Sequence, residues 1–335
     1  MFLASRLLRG VLFIGLLCSF SGCSQSPHSP EERYFLISTN IQIPYWQAAG
    51  AGFSRAASQM KVRTEFAGPT SYDEKAQLAE FQKAVRQKAS GILVSPADPV
   101  LMKPEIDAAI VAGIPVITFD SDSPGSRRLL FVGTNNYQAG VMGGEVAVKH
   151  LMGKGDVMVF TMPNQANLKE RLEGYKSVFA SHPQIKIVEV VDVHGDPRIA
   201  FDKTMEVISK GTPKVDAFVC LEAQSGKEIA EVLHRKGAKN KVVVAMDTDE
   251  ETLDWIRKGV IVATIAQKPF TMAFFGLKML DDLHHQQTST QGSPAAQDPF
   301  AILPRFVDTG ATLVDKANVD DFVKARDSAT TKKPG

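Results

Sequence analysis

The sequence predicts an α/β protein built from two doubly wound parallel-sheet lobes, and three observations carry that expectation. Ten short apolar runs alternate along the chain with nine amphipathic stretches of helical spacing. Several runs are nearly continuous in Val, Ile, Leu and Phe, the pattern of strands covered on both faces. Ten strands also exceed what one sheet holds comfortably in a chain of 335 residues, so two lobes are expected, each with helical crossovers of the usual right hand.

In chain order, the expected strands are Tyr34–Ser38, Val62–Ala67, Gly91–Ser95, Ile114–Phe119, Leu129–Val132, Val157–Thr161, Ile185–Val191, Val215–Cys220, Val242–Met246 and Ile261–Ile265. The expected helices between them are Tyr45–Gln59, Asp73–Lys88, Val100–Val111, Gln138–Leu151, Leu168–Ala180, Ile199–Lys210, Ser225–Arg235, Glu250–Lys258 and Phe270–Leu283. Gly113, Gly237 and Gly259 stand where helices should stop. Asp320 and Asp321, after Asn318, suit the positive end of a last helix. Gln286–Gln297, rich in Ser, Thr and Gln, reads as a surface insertion or crossover, and residues 328–335 as a flexible tail.

Lys and Arg number 38 against 37 Asp and Glu, which removes the electrostatic reason to expect nucleic acid as a partner. Cys18, Cys23 and Cys220 are too few for a disulfide framework, and Cys220 sits in an apolar run as a packing residue. No zinc-ligand spacing stands out, and His284-His285 reads as a solvated pair. Gly50-Ala51-Gly52 and Gly153-Lys154-Gly155 miss the spacing of a phosphate or dinucleotide loop, so no cofactor is expected, and no Gly-x-Ser-x-Gly elbow marks a nucleophile.

Residues 1–22 read as a secretory signal, with Arg6 and Arg9 ahead of the apolar run Val11–Phe20, too short to span a bilayer. Phe20-Ser21-Gly22-Cys23 resembles a bacterial lipoprotein cleavage box, departing from it at Phe20, where that pattern prefers leucine. Cys23 would then carry the lipid, and residues 23–32 would tether an extracytoplasmic domain to a membrane.

A set of ordered segments resembles the ribose-binding-protein family of periplasmic sugar-binding proteins, the solute-binding components of ABC importers. The segments are Ile114–Asp120, Gly133–Gly140, Glu170–Tyr175, Val244–Asp247, Ala263–Pro269 and Asp308–Gly310, and the likeness spans Tyr34 to Val323. It implies Rossmann-like lobes joined by a three-segment hinge: residues 33–133 with 268–298 in one, residues 134–267 with 299–327 in the other. The crossings would fall near Thr134–Asn136, Ala266–Pro269 and Pro304–Asp308. It further implies a monomer that takes a monosaccharide or similar polyol in the interlobe cleft and meets importer membrane subunits.

A sugar presents hydroxyls at its rim and C–H groups on its faces, so its site needs charged or amide groups around the edge and aromatic rings against the faces. Such groups collect at the carboxyl ends of strands. Asp120 and Asp247 each end an apolar run and match the family's carboxylates, with a turn or cap aspartate as the plain alternative. In ribose binders an arginine follows the first aspartate; here Ser121 does, which puts ribose itself in question. Gln267 matches the family's hinge glutamine, unless it is a crossover residue that bonds backbone only, and Arg171 its arginine at a helix start, unless Arg171 is a surface partner of Glu170 or Glu173. Tyr45 and Trp46 match an aromatic pair, unless one is helix-start packing. Asn40 or Gln42 would replace the polar residue that normally stands at Ile43, and Glu222 stands where an amide is usual. Asp122, Asn136 and Asp196 are weaker candidates. Two other roles stay open: a sensor that presents its closed form to a chemoreceptor or kinase, and a carbohydrate-active enzyme using Asp120 and Asp247.

Overall fold

A computed structural model describes residues 28–285 and 303–331; the expected signal, Cys23 and the Gln286–Gln297 insertion lie outside the described residues. The first sheet holds β1 (Arg33–Ile37), β2 (Arg63–Ala67), β3 (Gly91–Val94), β4 (Val116–Phe119) and β5 (Phe131–Gly133) in the order β2-β1-β3-β4-β5, all parallel. The second holds β6 (Gly155–Thr161), β7 (Ile185–Asp192), β8 (Ala217–Cys220), β9 (Val242–Met246) and β10 (Ala263–Ala266) in the matching order β7-β6-β8-β9-β10, again parallel. The two lobes therefore repeat one topology.

Alternation within the apolar strands explains their continuous composition. Tyr34 and Leu36 of β1 enter one core while Phe35 and Ile37 enter another on the opposite face of the sheet. Val157 and Val159 of β6 face one core of the second lobe, and Met158 and Phe160 face its other. A strand with both faces covered has no side left for polar residues.

Helices α1 (Pro44–Met60), α2 (Glu74–Arg86) and α3 (Pro99–Val111) serve the first lobe, and α4 (Asn136–Leu151), α5 (Ala166–Ala180), α6 (Pro197–Lys210), α7 (Ser225–Arg235) and α8 (Glu250–Arg257) the second. After β10 the chain returns to the first lobe, where α9 (Pro269–His285) packs on α1 and β3. Gly113, Gly237 and Gly259 follow the last residues of α3, α7 and α8 with φ of 83°, 59° and 75°, the left-handed turn that ends a helix. Cys220 is buried, as its run implied.

Three expectations are corrected. The sequence reading missed two short edge strands, β11 (Phe306–Asp308), parallel to β5, and β12 (Thr312–Asp315), antiparallel to β10. Phe306–Asp308 therefore belongs to the first lobe, not to a second-lobe segment 299–327, and the third crossing is Thr309–Ala311 rather than Pro304–Asp308. The end of the tether is not free chain, because His28 and Glu32 are tucked in beside Asp281 and His285 of α9. Helix α10 (Val319–Thr331) continues four residues into the stretch expected to be a flexible tail.

Candidate functional site

Doubly wound sheets expose a crevice at the carboxyl ends of their strands, where helix N-termini also point. Here the two crevices face one another across a cavity of about 70 Å³. The starts of α1 and α5 and the loops after β1, β2, β4, β6, β7, β8, β9 and β10 line it.

Asp120 follows β4, the fourth strand of the first lobe, and Asp247 follows β9, the fourth of the second. Their backbones match: φ is 60° at Asp120 and 64° at Asp247. The Asp120 amide donates to Val132 of the neighbouring fifth strand at 3.1 Å, and the Asp247 amide to Ile265 of its own fifth strand at 2.9 Å. A left-handed residue at a strand end turns the side chain out of the pleat and into the crevice, and Asp is among the few non-glycine residues that tolerate it. Neither aspartate caps a helix.

Asp120 accepts from the Tyr45 hydroxyl and, at 3.1 Å, from Ser95 Oγ. Asn167 Nδ2 donates to it at 3.3 Å from the opposite lobe, so the lobes already touch across the cavity. Burial pushes the Asp120 carboxyl above the usual carboxylate range, against the pull of Arg171 and of the bonds from Tyr45 and Ser95. Burial also leads at Asp247, whose carboxyl is pushed up to about 7, while Arg171 and the Gln267 amide pull it down and Asp120 adds repulsion. Burial, followed by the nearby Asp120 and Asp247 charges, holds the Tyr45 hydroxyl well above its ordinary value.

Arg171 is 2% exposed and is no surface partner of its helix neighbours. Its Nε donates to Asn136 Oδ1 at 2.9 Å, Nη1 to the Leu221 carbonyl at 2.7 Å and Nη2 to Gln267 Oε1 at 2.6 Å. Gln267 then donates from Nε2 to the two Asp247 oxygens at 3.1 and 3.3 Å. The amide thus relays a positive guanidinium to a carboxylate it does not touch directly. Close helix packing sets this up: a Cβ on Gly140 of α4 would stand 2.0 Å from the Arg171 carbonyl oxygen, so glycine alone lets α4 seat there.

Tyr45 and Trp46 meet edge to face, with centroids 5.0 Å apart, and Trp46 meets Phe119 in the same way at 5.7 Å. Trp46 is mostly core, with one edge in the cavity. Asn40 lines the cavity beside them. Glu222 does too, but both its oxygens accept backbone amides at the start of α7, from Gln224 at 2.7 Å and Ser225 at 2.8 Å.

Four expected residues stand elsewhere. Gln42 is exposed and does not line the cavity. Asp122 is taken up by Arg128, whose Nε reaches it at 2.6 Å, and by the Thr118 hydroxyl at 2.6 Å. Asp196 caps α6 and pairs with Arg198, which holds its carboxyl below the usual range. Asn136 reaches the cavity only through Arg171. The sequence reading also missed Tyr72, Gln165, Asn167 and Gln224, which the cavity brings in from the loops after β2, β6 and β8 and, for Asn167, from the first turn of α5. Their signal was positional, since each follows the carboxyl end of a parallel strand.

Residues 34–287 match the family model described as a periplasmic binding protein domain. The arabinose-binding protein AraP of Geobacillus stearothermophilus is 34% identical, with a TM-score of 0.71 over 88% of this chain and 99% of that one. A solute-binding protein of an ABC transporter from Burkholderia graminis C4D1M, solved with D-arabinose, is 27% identical with a TM-score of 0.77 over 87% of this chain and 97% of that one. The D-allose-binding periplasmic protein of Escherichia coli is 24% identical over 80% of this chain and 88% of its own length.

Proposed function

The chain belongs to the periplasmic binding protein domain family, and from that premise we propose that it is the extracytoplasmic substrate-binding component of a sugar ABC importer. The ligand is a monosaccharide or similarly small polyol. It sits between Asp120, Asp247, Arg171 and Gln267 at its rim and Tyr45 and Trp46 at its face, with Asn40 and Glu222 completing the edge. The Cys23 lipid holds the chain to a membrane, and the closed monomer is the form that meets the importer.

The observation that carries this reading is the convergence of two symmetry-matched, buried aspartates, one from each lobe, on one small cavity. Ionised carboxylates are pure acceptors, so a molecule rich in O–H donors suits them. Donors supplied to both at once favour the closed arrangement over the open one by their differential contacts. The three chain crossings, at residues 134–135, 267–268 and 309–311, are the hinge. Asp308 Oδ1 ties two of them by accepting from the Asn135 amide at 3.1 Å and the Gly310 amide at 2.8 Å.

Only two tryptophans occur, so intrinsic fluorescence reports on the site. Titration with a panel of pentoses and hexoses should give a saturable change that survives Trp255→Phe, because Trp255 lies in the second lobe's core. A panel without any saturable response overturns the reading. The raised Asp247 carboxyl also suits a general acid. Recovery of oligosaccharides and aryl glycosides unchanged after long incubation with the protein is the expected result, and a hydrolysed product would make the protein an enzyme instead.

A further inference from the structure

His28, Glu32, Asp281 and His285 come together on the first lobe, away from the interlobe cavity, where the chain leading into β1 meets the last turn of α9. Spacing hides the cluster, because the two pairs are more than 240 positions apart, as the contact of Tyr34 with Asp281 across 247 positions shows. His285 belongs to a pair that reads as solvated in the sequence.

We propose that these four side chains form a binding site for a divalent cation of the zinc class, which fastens the tether's end to α9. One ligand atom from each can be chosen so that all lie within 4.8 Å of one another. Separations are 3.5 Å from His28 Nε2 to Asp281 Oδ2, 3.4 Å from His285 Nε2 to Glu32 Oε1 and 4.0 Å from His28 Nδ1 to Glu32 Oε2. Zinc bonds of about 2.0–2.1 Å in a tetrahedron put ligand atoms roughly 3.4 Å apart, so the two shortest pairs already fit and the wider ones, up to 4.8 Å, must draw inward to close the set. Two imidazoles with two carboxylates fit zinc, cobalt or nickel better than calcium or magnesium, which prefer all-oxygen sets.

The surroundings are those of a built site. His28 and Glu32 side chains are 8% and 9% exposed. Glu32 Oε2 is buried and, among the described residues, accepts no hydrogen bond. His285 Nδ1 lies 2.9 Å from the Asp281 carbonyl oxygen, which can only accept, so the neutral ring carries its proton on Nδ1 and turns the Nε2 lone pair to the cluster. The Tyr34 hydroxyl donates to Asp281 Oδ1 at 2.9 Å and the Ser29 amide to Glu32 Oε1 at 2.6 Å, orienting both carboxylates from outside. The His28 and His285 rings stack at 5.2 Å, one over the other at the rim.

The test is calorimetric titration of the untagged, chelator-stripped protein with zinc chloride, with magnesium and calcium chloride as comparisons. One equivalent of zinc should bind and raise Tm, and cobalt chloride should give the intense visible absorption of a tetrahedral site. His28→Gln with His285→Gln should weaken zinc binding by about a hundredfold or more, while His284→Gln changes it by less than about threefold. His28 belongs to no helix or strand, so His28→Gln alone keeps the fold measurable by circular dichroism and should already cost about tenfold. Absence of a one-to-one zinc complex, or zinc binding unchanged by the histidine substitutions, overturns the proposal. Sugar binding is read separately and stands or falls without it.

Discussion

Asp120 and Asp247 share a backbone conformation and a place in their lobes, yet burial lifts Asp247 to about 7. The folded protein therefore holds more protons than the unfolded chain between the ordinary carboxylate range and about pH 7. The sign follows: with respect to Asp247, ligand-free stability is greatest in acid and falls as pH rises through 7. A ligand donating hydroxyls to the ionised form does the reverse. Sugar affinity should drop by up to about tenfold per pH unit below 7, and Asp247→Asn should flatten that slope. Calorimetry from about pH 5 to pH 8 measures both, and affinity indifferent to pH contradicts the assignment. Asp120→Ala, which removes an acceptor for the ligand and for Asn167 of the opposite lobe, should cost about 1.5–3 kcal/mol of binding. Arg171→Met strands three acceptors at Asn136, Leu221 and Gln267 and removes the charge that lowers Asp247. A loss of about 2–3 kcal/mol of stability is expected, with the Asp247 midpoint moving above 7, both readable from denaturation at several pH values. These roles were legible in the sequence where a charged or amide residue ends an apolar run, as at Asp120, Asp247 and Gln267. They were illegible where an acid has a nearby cation, as with Asp122 and Arg128 or Asp196 and Arg198, because pairing depends on rotamers rather than spacing.

At the scale of elements, continuous apolar runs such as Val242–Met246 announced themselves because both faces of their sheet are covered. Phe306–Asp308 and Thr312–Asp315 did not, being three- and four-residue edge strands with exposed positions. Missing them shifted the third crossing by a few residues. These contributions were equally hidden, since Tyr72 sits in a loop and Asn167 in the first turn of α5, where composition says little about where they point. Gly195, after β7, shows what those loops do. Its φ is 70°, and a Cβ there would lie 2.4 Å from Cβ of Tyr72 in the other lobe. Gly195→Ala should cost about 1–2 kcal/mol of stability from the left-handed backbone alone. The clash with Tyr72 exists only when the lobes meet, so sugar affinity should fall by tenfold or more beyond that. Equal losses in thermal stability and in binding free energy would mean that Tyr72 and Gly195 do not form part of the closure.

At the scale of the molecule, two copies of one topology present matching crevices to each other, and the chain passes between them three times. That duplication could not be read from the sequence, since shared strand order leaves no repeated residues. It is why the site has an aspartate on each side, so that the proposed closure would bring both to one ligand. Small-angle scattering should show a smaller radius of gyration once a binding sugar is added, and an unchanged radius would mean a rigid cleft. The most direct measurement is a crystal structure with the best-binding monosaccharide. It should show one sugar ring in the cavity, its hydroxyls within hydrogen-bond distance of Asp120, Arg171, Asp247 and Gln267 and its face against Tyr45 or Trp46. A sugar bound outside the cavity, or one touching a single lobe while those four side chains contact only each other, would contradict the account.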